Sequence, residues 1–314
     1  MSDIRFFFSR KQTLMVLFLP LFAVLLLSLS AEAAEQPGTP GPAAEPTQES
    51  LASAPASTAA SSTPPASSSL FRLRPYKPLY MIAAYDRTLS NGDRAVQDWE
   101  MQFQLSFKVP FAALDWENAE FAFGYTQVSF WQLFNGNYSA PFRETNYAPE
   151  VMASFDHKTT ALGLRNIHTV YSLIHQSNGM GGASSRSWNR VYAEVKLEWE
   201  HIYLGLKPWY RIPEQQKNMS SDARGDDNPD IHRYFGYGEL SAGYQNAGWS
   251  VGVTVRNNLR GSQNLGSGQL DITFPIMHDA KFYIQAFEGY GLSLIDYNRR
   301  STRIGCGVLL AKWP

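Results

Sequence analysis

The sequence predicts an all-β fold, a twelve-stranded antiparallel transmembrane β-barrel. Three observations point there. Apolar and polar residues alternate with a period of two over segment after segment. Long polar connections alternate with short ones. The composition sits between those of a helical membrane protein and a water-soluble domain: 18% charged residues, 14% aromatic, a mean hydropathy of −0.28. Strands with one apolar and one polar face give that intermediate profile.

Taken in order, the 314-residue chain begins with Arg5, Arg10 and Lys11 ahead of the apolar run 13–30 and the small residues Ala31 and Ala33. That is the build of a secretory signal peptide over 1–33, with an uncleaved anchor as the alternative. Residues 34–69 are dominated by Pro, Ala, Ser, Thr and Gly, with Leu51 as the one large aliphatic. Such a segment cannot bury enough apolar surface to fold and is expected to be a disordered linker. The barrel domain is expected over 70–314.

Within it, "WEMQFQLSFKV" sets Trp99, Met101, Phe103, Leu105, Phe107 and Val109 on one face. Glu100, Gln102, Gln104, Ser106 and Lys108 fall on the other. Successive strand side chains point to opposite faces, so this strand separates an apolar medium from a polar one. "NRVYAEVKLEWE" (189–200) repeats the pattern, with Glu194, Lys196 and Glu198 opposite Val191, Val195 and Leu197. Strands are expected near 78–88, 98–109, 118–134, 147–158, 159–175, 189–201, 202–212, 231–245, 248–259, 266–275, 279–291 and 302–313. Strands of about 9–11 residues suffice to cross a bilayer. The long connections (89–97, 135–146, 176–188, 213–230, 260–265, 292–301) belong outside and the short ones on the periplasmic side. Trp116, Tyr125, Trp131, Trp209 and Tyr210 fall near strand ends, as aromatic girdles do.

The net charge of −1 and the lack of a basic stripe exclude nucleic acid as a partner. The single cysteine, Cys306, excludes an intramolecular disulfide and is expected to be a packing residue. His157, His168, His201, His232 and His278 show no ligand spacing, and "DARGDDNPDI" (222–231) does not place a Gly and a final Glu at calcium-loop spacing.

The stretch "HQSNGMGGASSRSWNR" (175–190) carries chemistry. His175 and Ser177 share the parity of Leu173; Asn189 shares that of Val191. All three therefore face outward, toward lipid, on neighbouring strands. A base beside a serine, oriented by a third polar group, is the arrangement of a nucleophilic hydrolase. A polar hairpin loop is the competing reading.

The chain resembles the outer membrane phospholipase A family of Gram-negative bacteria over roughly 76–313. The resemblance is carried by "SAPFRETNY" (139–147), "HQSNG" with "SSRSWNR" (175–190), "LKPWY" (206–210), "DDNPDI" (226–231) and "SLIDYN" (293–298). It implies calcium-dependent hydrolysis of the acyl esters of phospholipids in the outer leaflet of the outer membrane, by a homodimer. Ser177 would be the nucleophile, His175 the base, Asn189 the residue that orients it, and Gly179 the source of an oxyanion N–H. Calcium would be held by the Ser185 hydroxyl, the carbonyl of Met180 and the carbonyl of Ser139 from the partner chain. Gln127 would lie at the dimer contact. The sequence departs from the family at Met180 (arginine in the family), Gly182 and Leu292 (both acidic) and in its "AKWP" end, with Trp313 penultimate. A catalytically silent barrel on the same scaffold, or a soluble secreted esterase, are the alternative readings.

Overall fold

The computed structural model describes residues 71–89, 95–114, 118–219, 222, 224–277 and 280–310. The expected leader and linker, and Trp116, His278 and Trp313, lie outside these residues. The chain forms one antiparallel sheet closed on itself. After the short β1 (Arg74–Pro75) come β2 (Tyr80–Asp86), β3 (Trp99–Leu114), β4 (Ala119–Trp131), β5 (Phe142–Lys158), β6 (Asn166–Ser177) and β7 (Ser187–Glu198). Then follow β8 (Ile202–Ile212), β9 (Gly238–Gln245), β10 (Ser250–Asn257), β11 (Gly266–Met277), β12 (Ala280–Gly289) and β13 (Ser301–Leu309). Strands β2–β13 make the twelve-strand barrel, each pairing with its sequence neighbours, and β13 returns to pair with β2. Closure leaves no strand edge with unpaired N–H and C=O groups, the condition for crossing a bilayer with strands.

The alternation sorts as the pleat requires. Leu206, Leu240 and Val255 stand side by side across β8, β9 and β10, exposed on the outer wall. The opposite face is buried and polar. Glu100 accepts hydrogen bonds from Arg143 (2.9 and 3.0 Å) and Arg303 (2.6 Å). Glu150 accepts from Lys77, Ser172 and Tyr192 at 3.1, 2.9 and 2.5 Å. Asp271 accepts from Tyr283 at 2.6 Å and from Gln269 at 2.9 Å. Glu100 and Glu150 persist there because each is paired with a cation, and removing one partner of such a pair costs about 3–5 kcal/mol; Asp271 is held by neutral donors alone. The bore is thus filled by a bonded network. Apolar residues join it: Val170 and Ile174 of β6 pack with Ala122, Ala148, Met152 and Tyr192 inside the barrel.

Several expectations are corrected by this packing. The strand expected near 231–245 starts at Gly238; His232–Phe235 is one helical turn. Ile231 and Phe235, four apart, fall on one helical face and bury against Trp188, Leu294 and Tyr297 across the external mouth. Trp209 is no girdle residue: it faces inward, edge-on to Trp188 at 6.4 Å, and its Nε1 donates to the carbonyl of Gly236 at 3.1 Å. Tyr210 does face outward. Trp131 stacks on Phe142 at 5.4 Å at the strand ends, whereas Tyr125, packed on Phe107 at 5.3 Å, lies mid-strand and is no girdle residue. The turn after β5 is longer than expected, spanning 159–165. Cys306 is exposed on the outward face of β13 rather than packed inside.

Candidate active site

Strands β6 and β7 extend past their expected ends, to Ser177 and back from Ser187, so the polar cluster lies on paired strands and not in a loop. His175 is directly opposite Asn189, and Ser177 opposite Ser187. Burial decides the side. Val170, Ser172 and Ile174 on β6 and Trp188 and Tyr192 on β7 are buried, so the alternate set holding His175, Ser177 and Asn189 faces outward. His175 Nδ1 donates to Asn189 Oδ1 at 2.8 Å. Ser177 follows on the same face two residues on, with no hydrogen bond to His175 among those of the described residues.

The hairpin beyond Ser177 is held from below. Asn178, buried, receives the N–H groups of Met180 (3.2 Å) and Arg186 (2.9 Å) on its Oδ1. Its Nδ2 donates to the carbonyl of Ser184 (2.9 Å) and to Glu144 Oε2 (3.3 Å). Gly179 has φ +67, a left-handed backbone, and a Cβ there would lie 3.1 Å from the Tyr147 ring. Both facts call for glycine. The loop after β8 also reaches this hairpin. Asp227 Oδ2 accepts from Ser185 Oγ at 2.8 Å and from Ser187 Oγ at 2.9 Å, and its other oxygen pairs with Lys217. Burial pushes the Asp227 carboxyl up, but Lys217 and the two serines outweigh it and hold it below the ordinary range.

A further group touches Asn189 from the same loop. Glu214 Oε1 accepts from Asn189 Nδ2 at 3.1 Å. Burial pushes the Glu214 carboxyl up from its usual value, against the downward pull of the Asn189 hydrogen bond. Sequence reasoning missed Asn178, Glu214 and Asp227. Glu214 lies in a part of the loop with no sequence signal, and Asp227 in "DDNPDI", which carries the resemblance without assigning it a role. Asn178 stands inside the singled-out stretch, but its buried parity on the even face was the available clue.

Gln127 lies in the same ladder row as the serine. The pairs Leu105↔Gln127, Gln127↔Tyr147 and Tyr147↔Ser177 put it two strands away on the outward face, about 10 Å at ordinary strand spacing. Its amide accepts from Tyr125 Oη at 2.9 Å and donates to Ser129 Oγ at 3.0 Å. Ser139 caps the turn Gly136–Tyr138 on a separate hairpin and makes no hydrogen bond to Ser185 among the described residues. Around Ser185 the donors are oxygens, a hydroxyl beside a carboxylate, which fits a hard cation such as calcium.

The family model for phospholipase A1 matches residues 57–310. The chain belongs to that family. The phospholipase A1 of Escherichia coli K12 is 36% identical over 250 residues, covering 76% of this chain and 82% of that protein. Structures of the outer membrane phospholipase A from Escherichia coli superpose with a TM-score of 0.68 at 34% identity, over 77% of this chain and 93% of that one. One of them is an active-site mutant in which an asparagine is replaced by alanine. A Salmonella typhi outer membrane phospholipase, a dimer with bound calcium, matches with a TM-score of 0.67 at 33% identity, over the same shares of the two chains. This chain is a phospholipase and an outer-membrane β-barrel.

Proposed function

We propose that the protein hydrolyses acyl ester bonds of phospholipids at the external side of the outer membrane, using Ser177, His175 and Asn189. The observation that carries the reading is the 2.8 Å bond between His175 and Asn189 on the lipid-facing side of the hairpin, with Ser177 next on that face. An amide oxygen only accepts, so the imidazole proton sits on Nδ1 and Nε2 is left as a base.

The Ser177 hydroxyl attacks the ester carbonyl as Nε2 takes its proton. The tetrahedral oxyanion is met by the N–H of Gly179. Collapse expels the lysophospholipid alcohol, which takes the proton back from His175 and leaves an acyl-serine. Water, deprotonated by His175, attacks that ester; fatty acid leaves and Ser177 regains its proton. Preorganised donors of this kind are often the largest catalytic factor.

Calcium would be held by the Ser185 hydroxyl and the carbonyls of Met180 and, from a second copy, Ser139; when bound it supplies positive charge near the oxyanion. The homologous dimer with bound calcium supports this. With Met180 ligating through its carbonyl, its side chain is not a constraint. Gln127, in the ladder row of Ser177, would meet its counterpart across the homodimer contact, where an amide can bond within lipid.

The test is acyl release from phospholipid in mixed micelles by the purified barrel. Activity is expected with calcium, and is expected to vanish with a chelator and in Ser177→Ala. Release that survives Ser177→Ala would sink the assignment.

A further inference from the structure

Asparagine is a weak third member for such a site on two counts. It is neutral, so it stabilises an imidazolium less than a carboxylate would. Its amide can also turn over, presenting NH2 instead of oxygen to the histidine. If it did, Nδ1 would have to accept, Nε2 would carry the proton, and the base would be lost.

The structure answers both points with one contact. Glu214 Oε1 accepts from Asn189 Nδ2 at 3.1 Å, on the side of the amide away from His175. An ionised carboxylate has no proton to give, so only the NH2 edge of Asn189 can face it. The carbonyl edge is thereby turned to His175. We propose that Glu214 is a positioning residue of the active site, one hydrogen bond beyond Asn189, which fixes the amide and through it the imidazole tautomer. The proposal rests on the triad reading above.

The backbone explains how Glu214 arrives. Ile212, the last residue of β8, is opposite Asn189 in the ladder. Two residues further on, Glu214 keeps the same outward parity. The loop that carries it is pinned by the bridge between Gln216 and Asp226, by the Asp226 N–H on the carbonyl of Gln215 at 2.7 Å, and by the ion pair of Arg211 with Asp226. Glu214 is half-buried at the barrel rim, beyond the end of the strand. A carboxylate placed there avoids most of the cost of charge against lipid, while its field reaches His175 through a polarised amide. The burial that pushes its carboxyl up is the same confinement that keeps it against Asn189. Asp226, Arg211 and Asp227 are the other charges acting on it.

The experiment uses the full-length protein in calcium-containing mixed micelles, with kcat and KM for acyl release measured at equal amounts of folded barrel. Glu214→Ala is expected to lower kcat by roughly 10-fold with KM unchanged. Glu214→Gln, whose carbonyl can still accept from Nδ2 but which is neutral and also carries a donor NH2, is expected to recover only part of that loss. In an Asn189→Ala background, Glu214→Ala is expected to cost nothing more, because the group it acts through is gone. Wild-type kcat in Glu214→Ala overturns the proposal. So does an equal fractional loss in the Asn189→Ala background, which would make the effect general to the rim. Ser177→Ala is run alongside: activity surviving there overturns the triad itself, separately from Glu214.

Discussion

The two faces of the β6–β7 hairpin use the same kinds of residue to opposite ends. On the inner face Ser172 stands opposite Tyr192; three pairs along, on the outer face, His175 stands opposite Asn189. Inside, both hydroxyls are spent on the buried Glu150, which Lys77 also neutralises. Outside, one ring nitrogen of His175 is committed to Asn189 while the side chain remains exposed. Polarity on the inner face is closed by its partners and contributes structure. Polarity on the outer face keeps an uncommitted ring nitrogen, and in the function proposed above it contributes chemistry. Residue type does not separate the two; side of the sheet does.

Four substitutions sharpen that contrast. The largest effect is expected from His175→Ala: kcat for acyl release should fall by about 10⁴-fold or more, with the urea midpoint of unfolding unchanged. Glu100→Ala should do the reverse. It leaves Arg303 without its carboxylate partner and Arg143 with Asp296 alone, and should cost about 3–5 kcal/mol in unfolding free energy, while activity per folded barrel is kept. A midpoint that does not move would mean that the inner network is not what holds the wall. Asn189→Ala should lower kcat by about 10²-fold and leave stability alone, read from the same two assays.

The smallest effect concerns the external loop between β12 and β13. Burial pushes the Asp296 carboxyl up, but Arg143 and Arg299 pull it further down, below the ordinary range. A depressed folded value means that its contribution is complete above the unfolded value, about pH 4, and is lost as pH falls through the lower folded value. Asp296→Asn should therefore cost stability at pH 6, and less as pH falls through the folded value, seen as a flatter dependence of unfolding on acid.

The contrast also explains what the sequence could reveal. Alternation is local, so β3 and β7 were legible residue by residue, and so was the outward parity of Asn189. In β6 the aliphatics Val170 and Ile174 blurred the pattern, because the bore accepts apolar residues where Met152 and Tyr192 cover them. The turn His232–Phe235 reads as strand in the sequence because its helix depends on Trp188 and Leu294, remote along the chain. Trp209 gave a girdle signal by position, but its indole partner, the Gly236 carbonyl, is set by loop folding. Glu214 was invisible for a similar reason: 25 residues separate it from Asn189, and nothing in loop composition tells which carboxylate turns back to the wall.

One consequence follows from a bore filled by Glu100, Arg143 and Arg303 and a site carried on the wall. With the triad proposed above, substrate would reach His175 sideways, by two-dimensional diffusion in the leaflet that faces it, and not through the barrel. The turnover of such an enzyme follows the mole fraction of ester lipid in that leaflet, and diluting the surface with inert amphiphile slows it at constant total lipid. The barrel is in effect a gauge of what its own leaflet contains.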